Sequence, residues 1–162
     1  MAFQYKIVWP KKKAPYIYRQ KKSYFLTLLE EIIMKKFDLV KQYLLDLEIP
    51  IIEEDTAEEL VVIDDEENGV KNMVIDCEEP ILVIEQSIMK VPENPKNLFK
   101  RLLQMNRELV HGAFVLDDDA EMIIFRDTLQ MENLDCNELE ASIQALSLAL
   151  SEYGSELLDY LE

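Results

Sequence analysis

Residues 59–79 read ELVVIDDEENGVKNMVIDCEE, and this stretch decides the fold class. Two runs rich in valine and isoleucine, at 59–66 and 70–77, flank the dipeptide Asn68-Gly69. The dipeptide is typical of a two-residue type I′ turn, because both of its residues tolerate a positive φ. The stretch therefore predicts a β-hairpin.

Two further segments complete the predicted sheet. Residues 81–91, ILVIEQSIMKV, have a similar composition and predict a third strand. Further along, Phe114–Leu116 and Met122–Arg126 flank a run of acidic residues and predict a second hairpin with an acidic tip. The predicted sheet is thus an antiparallel three-stranded meander plus a hairpin.

Helical periodicity precedes the first strand. From Met34 onward, apolar residues recur at steps of three and four, with charged and polar residues on the opposite side. This spacing predicts an amphipathic helix that ends before Pro50. Its apolar residues are Phe37, Val40, Leu44 and Leu47.

A second helix is predicted between the meander and the hairpin, from about Lys96 to Val110. Gly112 is interpreted as its C-terminal cap. His111, the single histidine, is expected to interact with the helix end rather than to act in catalysis. The apolar residues of this helix are Leu98, Leu102, Met105 and Leu109.

The last helix has the most regular periodicity in the chain. Asp135 is predicted to cap it, with Glu138 at the capping-box position. Three interpretations of its end stay open: a break near Gly154, contact with a partner, or packing on the sheet with a frayed tail. The predicted order is α-βββ-α-ββ-α, an α+β fold. The periodic residues are Leu139, Ile143, Leu146, Leu150, Tyr153, Leu157 and Tyr160.

Charge and composition exclude several classes of partner. The chain has 162 residues, is 49% hydrophobic and carries a net charge of −16, so it repels phosphate backbones. No apolar run approaches the ~20 residues that a bilayer span requires. Cys77 and Cys136 are too few for a disulfide framework. We therefore predict a cytoplasmic protein that binds neither nucleic acid nor membrane.

Residues 1–33 differ from the rest of the chain. They carry seven basic and two acidic side chains, and they include Trp9. Such a basic, aromatic extension can bind an anionic surface or fold back onto the acidic remainder. Alternatively, Met34 is the native start. The predicted domain division is an extension at 1–33 and a single domain at 34–162.

The sequence contains no arrangement of residues that is typical of a catalytic site or a metal site. Acidic neighbours disfavour a thiolate at Cys77 and at Cys136. The segment that begins at Asp64 matches the first positions of an EF-hand loop, but its twelfth position is Ile75 instead of a bidentate glutamate. We predict a protein that is not an enzyme and that has no metal site and no cofactor.

A longer motif carries a family resemblance. Residues 98–146 contain Asn106, then Gly112-Ala113-Phe114, an acidic hairpin tip, a connection from Thr128 to Asp135 and a leucine-rich last helix. This pattern resembles the type III secretion chaperones (the Tir-chaperone, CesT-like family) and the related YbjN-type domain. One departure is Ala120 in the hairpin tip, where a glycine would be usual.

The resemblance implies a non-catalytic homodimer that holds a protein client or contacts a regulatory partner. An alternative within the same resemblance is a YbjN-type sensory or stress-regulatory domain without an export client. The client surface would be formed by Phe37, Val40, Leu44, Val61 and Ile63, although periodic apolar residues are first of all core residues. The dimer interface would involve the second helix at Leu102 and Met105.

Overall fold

The structure, a computed structural model, describes residues 35–161. Within this range the order of elements is α-ββββ-α-ββ-α, so the predicted α+β fold is confirmed and gains one strand ahead of the meander. The predictions for residues 1–33 lie outside the described residues. The elements are α1 (Lys36–Asp46), β1 (Ile51–Asp55), β2 (Leu60–Asp65), β3 (Val70–Glu78), β4 (Ile81–Lys90), α2 (Leu98–Asn106), β5 (Ala113–Leu116), β6 (Met122–Gln130) and α3 (Cys136–Asp159).

The six strands form one antiparallel sheet in the order β1-β2-β3-β4-β6-β5. The meander extends from β1 to β4, and the second hairpin joins it because β6 pairs with β4 from Ile81 opposite Gln130 to Lys90 opposite Met122. The two edge strands are therefore β1 and β5, at opposite ends of the sheet.

One face of the sheet packs against the helices. Along β3, Met73, Ile75 and Cys77 are buried while their neighbours are more exposed, the two-residue alternation of a strand with one covered face. The buried residues of α1 and α3 belong to the same core cluster as these strand residues. Phe125 on β6 is the largest fully buried side chain among residues 35–161.

The last helix is continuous. Asp135 Oδ1 accepts a hydrogen bond from the Glu138 backbone N–H at 2.8 Å, as the predicted cap requires. The helix passes through Gly154 without a break, so the interpretation that it breaks near Gly154 is wrong. Arg101 on α2 donates two hydrogen bonds, of 2.6 Å and 2.9 Å, to the Glu156 carboxylate and so ties the two helices together. No helix in the described range is long and apolar enough to cross a membrane.

The turn between β2 and β3 is longer than predicted. A short 3₁₀ turn, Glu66–Asn68, precedes Gly69, and Gly69 alone has a left-handed φ of 76°. The predicted two-residue type I′ turn is therefore wrong. Gln86 on β4 holds this turn, since its side chain accepts from the Lys71 N–H at 2.8 Å and donates to the Gly69 carbonyl at 3.0 Å.

Helix α2 is shorter than predicted and ends at Asn106, before Gly112 and His111. Neither of these two residues caps the helix. Gly112 has a φ of 68° and lies directly against the Phe125 ring, where a Cβ atom would overlap the ring. Its role is to let the chain pass close to the core. At the acidic hairpin tip, Ala120 has a φ of 56°, a conformation that favours glycine.

Candidate protein-binding face

Helix α2 and strand β5 together expose an apolar surface. Phe99 and Leu103 are four residues apart, so they lie on one side of α2, and they are 39% and 72% exposed. Leu116, at the end of β5, is 38% exposed. These three side chains and Val115, above the buried Leu102 and Phe114, form what we call the α2/β5 face. They line a groove of about 400 Å³.

Asn106 fixes the position of β5 beside α2. Its side-chain amide donates to the Phe114 carbonyl at 3.0 Å, and its carbonyl oxygen accepts from the Phe114 N–H at 2.7 Å. The amide thus reproduces the pairing that a neighbouring strand would make. The sequence motif contained this asparagine, and the structure gives the physical reason: it joins the end of the helix to the edge strand.

The two edges of the sheet differ in charge. β1 carries Glu53, Glu54 and Asp55 and is followed by further acidic residues, so a strand added there would meet a row of carboxylates. β5, with the sequence AFVL, carries no charged side chain. Of these two edges, β5 is the one without charged side chains, and the Asn106 amide already pairs with the backbone of Phe114 at this edge.

The predicted dimer residues support the α2/β5 face from within. Leu102 is 4% exposed and Met105 is fully buried. The exposed apolar residues of α2 come one position after the buried Leu98 and Leu102, a rotation of about 100° around the helix axis. The doublets Leu98-Phe99 and Leu102-Leu103 could have revealed this second apolar row, because a helix that packs on one side only needs a single row.

The five residues predicted as a client surface lie in the hydrophobic core. On β2, Val61 and Ile63 alternate with partly exposed neighbours, and on α1 the other three recur at steps of three and four, so both sets belong to the packed side of their element. In this conformation they offer no surface to a partner, as the core interpretation requires. Their exposed fractions are 3% for Phe37, 1% for Val40 and 0% for Leu44, Val61 and Ile63.

The single histidine, a serine and a carboxylate lie close together, but the histidine is not placed as the base of a serine nucleophile. Ser142 donates to Asp127 Oδ2 at 2.5 Å, and His111 Nδ1 lies 4.0 Å from the same oxygen. The serine hydroxyl is therefore bonded to the carboxylate and not to the imidazole, and Ser142 is fully buried, so this group lacks the exposed serine with a histidine base that a nucleophilic site requires. Burial raises the pKa of the Cys77 thiol to about 12, with a further contribution from the Glu59 carboxylate. That thiol is therefore not a nucleophile near neutral pH.

The acidic turns use their carboxylates internally. Asp64 accepts from the Asn72 N–H at 2.6 Å and from Lys71 Nζ at 3.0 Å, and these two bonds lower its pKa. Asp117 accepts from the N–H groups of Glu121 and Met122. Within residues 35–161, no three His, Cys, Asp or Glu side chains are grouped so that they could hold a metal ion.

Comparisons with known proteins agree on the fold. The family model CesT_Tir_1 matches residues 33–162. YbjN of E. coli, described as a proposed transcription regulator, superimposes with a TM-score of 0.60 at 18% identity and covers 75% of this chain and 92% of its own.

Two chaperone structures are also similar. The HopA1-SchA chaperone-effector complex gives a TM-score of 0.52 at 11% identity, with coverage of 68% and 86%. The Yersinia pestis type III secretion chaperone SycH, solved with a fragment of YscM2, gives 0.49 at 14% identity, with coverage of 72% and 98%. A search of curated protein sequences finds no match. Because the family model covers most of the chain, including every described element, this chain belongs to the CesT_Tir_1 family.

Proposed function

We propose that this chain is a non-catalytic, chaperone-like protein-binding module that forms a homodimer through the α2/β5 face. The observation that carries the proposal is the exposed apolar cluster of Phe99, Leu103 and Leu116 beside an uncharged edge strand. Clusters of this kind on a folded domain mark interaction surfaces. Membership of the CesT_Tir_1 family and the likeness to a chaperone-effector complex support a protein as the partner.

A two-fold dimer fits the composition of this face. In such a dimer each subunit contributes the same patch, so the apolar side chains of one copy meet those of the other. Because the chain carries a net charge of −16, contact between two copies is opposed over most of the surface. The α2/β5 face is a region where apolar residues replace that charge.

The test of the homodimer is a mass measurement by light scattering at micromolar concentration. We expect wild type at twice the 19.0 kDa mass of the chain, and the Leu103→Lys variant at the monomer mass. Leu158→Lys is the matched control, since Leu158 is 63% exposed, belongs to α3 and does not line the groove of the α2/β5 face. A monomeric wild type, or a Leu103→Lys variant that stays dimeric, would contradict the proposal.

The second part of the proposal is the nature of the partner. We place the interaction in the cytoplasm, where the free thiols of Cys77 and Cys136 stay reduced. Affinity capture from the native cytosol, with mass spectrometry, distinguishes two functions. One stoichiometric protein, lost with the Leu103→Lys variant, would establish a dedicated client. Self-association alone would favour a regulatory domain of the YbjN type, the alternative that the TM-score of 0.60 to YbjN supports.

A further inference from the structure

A second apolar groove lies on α3, away from the α2/β5 face. It runs between α3 and the connection that leads from α2 to β5, and its volume is about 490 Å³. Val110 and Leu148 form its walls. Its floor is made by Ala141, Ala145 and Ala149, which recur every four residues along one side of the helix. We call this site the α3 groove; it shares no lining residue with the groove of the α2/β5 face.

The walls of the α3 groove are unusually exposed. Val110 is 89% exposed, more than any other large apolar side chain in residues 35–161, and Leu148 is 71% exposed. Scattered single residues of this kind need no explanation, but two that line the same groove beside three alanines form an apolar patch. The patch would lose its contact with water if a partner filled the groove.

The rim of the groove is acidic. Glu108 and Glu152 line it from the two sides, and no lysine or arginine lines it. Burial, followed by the carboxylates of Glu152 and Glu108, raises the pKa of the neighbouring Tyr153 phenol, while the Arg101 guanidinium near its ring acts in the opposite direction. The cation nearest in sequence, Arg107, has its Nε 4.0 Å from Glu108 Oε1, with both side chains largely exposed. Water screens such a pair, so the carboxylate stays available to a cation from outside.

The shape of the groove favours a helical occupant. The backbone of α3 is hydrogen-bonded internally, so this wall offers no row of N–H and C=O groups to an extended strand. Alanine side chains allow another helix to approach closely, and Ala141 to Ala149 spans about 12 Å, which is slightly more than two helical turns. A helix satisfies its own backbone and needs only an apolar stripe to fill such a site.

We propose that the α3 groove binds a basic amphipathic helix of a partner protein. Leucine-like side chains of that helix would occupy the space between Val110 and Leu148, and its lysines or arginines would flank the stripe and meet Glu108 and Glu152. A second copy of this chain is disfavoured as the occupant, because a two-fold contact would bring these glutamates against their own counterparts. The proposal is independent of the homodimer on the α2/β5 face.

The test is fluorescence anisotropy of the full chain with a labelled synthetic peptide of about 14 residues, leucines at helical spacing and lysines elsewhere. Two substitutions add the same charge to the same helix: Leu148→Lys in the groove and Leu158→Lys outside it, both at exposed positions. We expect Leu148→Lys to weaken binding by about tenfold or more, and Leu158→Lys to change it less than about twofold, since central interface residues carry most of the affinity.

A second peptide separates shape from charge. It keeps every lysine and replaces the leucines by serine, and we expect it to bind at least about tenfold more weakly than the first. Equal losses for Leu148→Lys and Leu158→Lys, equal binding of the two peptides, or no binding of the leucine peptide at 100 µM-scale concentration would overturn the proposal. If the wild type is a dimer and the Leu148→Lys variant is a monomer, a second copy of this chain occupies the α3 groove, and the proposal is overturned too. The Leu103→Lys variant tests the α2/β5 face instead.

Discussion

Replacing each of the three glycines by alanine should give three different effects on stability. The same methyl group is added each time, so the differences come from the backbone conformation and the space at each position. Gly112 and Gly69 have φ values of 68° and 76°, while Gly154 lies inside α3. These three are all the glycines of the chain, and each is therefore the control for the other two.

At Gly112 two penalties act together. A left-handed conformation costs about 1–2 kcal/mol for a residue with a Cβ atom. The added Cβ would also overlap Cζ of the Phe125 ring and lie 2.8 Å and 2.9 Å from its two Cε atoms. Phe125 is fully buried, so the ring can move only by repacking the core, at about 1–3 kcal/mol. We expect Gly112→Ala to lower the free energy of unfolding by about 2–5 kcal/mol.

The other two positions lack the second penalty. At Gly69 the nearest atom to the new Cβ is the Leu150 Cδ1 at 3.3 Å, the end of a flexible side chain. Gly69→Ala should therefore cost only the conformational term, about 1–2 kcal/mol. At Gly154 nothing lies within 4 Å, and alanine is the better helix former. Gly154→Ala should stabilise the protein by up to about 1 kcal/mol.

The assay is urea unfolding of the four proteins at one concentration, followed by circular dichroism. The expected order of stability is Gly112→Ala lowest, then Gly69→Ala, wild type and Gly154→Ala. In thermal unfolding, each kcal/mol corresponds to about 2–4 °C for a chain of this size. If Gly112→Ala unfolds within about 1 kcal/mol of Gly69→Ala, the close approach of residue 112 to the Phe125 ring is refuted.

Three further outcomes follow from the packing and the burial of particular groups. A chain that starts at Met34 should fold, because the described core lies between residues 37 and 157; loss of its cooperative thermal transition would contradict this. Gln86→Met should lower the free energy of unfolding by about 1–3 kcal/mol, since two backbone groups, the Lys71 N–H and the Gly69 carbonyl, lose their partner; urea unfolding measures it. Cys77 has a pKa raised from 9.0 to about 12, so the folded state retains this proton longer than the unfolded state. Stability should then be fully present below pH 9 and fall as the pH rises toward 12, by at most about 1.4 kcal/mol per unit from this group, and Cys77→Val should remove that part of the slope.

Much of the fold could be predicted because its signals are local. The periodicity of α1, the cap of α3 by Asp135 and the valine- and isoleucine-rich runs each depend on residues within a few positions of one another. The missed strand β1 has no such signal: only Ile51 is partly covered, and the other four residues, IEED, are exposed. It exists because β2 offers an edge with which it can pair.

The residues of the candidate binding face could not be predicted from local signals. Periodicity placed Leu102 and Met105 in the apolar row of the helix, and the resemblance assigned them to a dimer interface, but the exposed row of α2 is formed by Phe99 and Leu103. Any apolar residue at helical spacing satisfies the pattern equally well, whether it faces the core or a partner. Which row is covered depends on how β5 and α3 pack against the helix, and those contacts are distant in sequence.

The amino-acid sequence by itself determined the fold class, the elements with strong periodicity, the acidic character and the family resemblance at residues 98–146. The fold class, the elements and the acidic character follow from composition and from spacings of two to four residues, which local geometry converts directly into helices, strands and turns; the resemblance comes from the motif at residues 98–146. The tertiary structure alone decided which apolar residues stay exposed, that α2 ends at Asn106 so that its amide can pair with Phe114, and that residue 112 must lie against the Phe125 ring. Those features depend on contacts between distant segments, and exposure is a property of the packed chain.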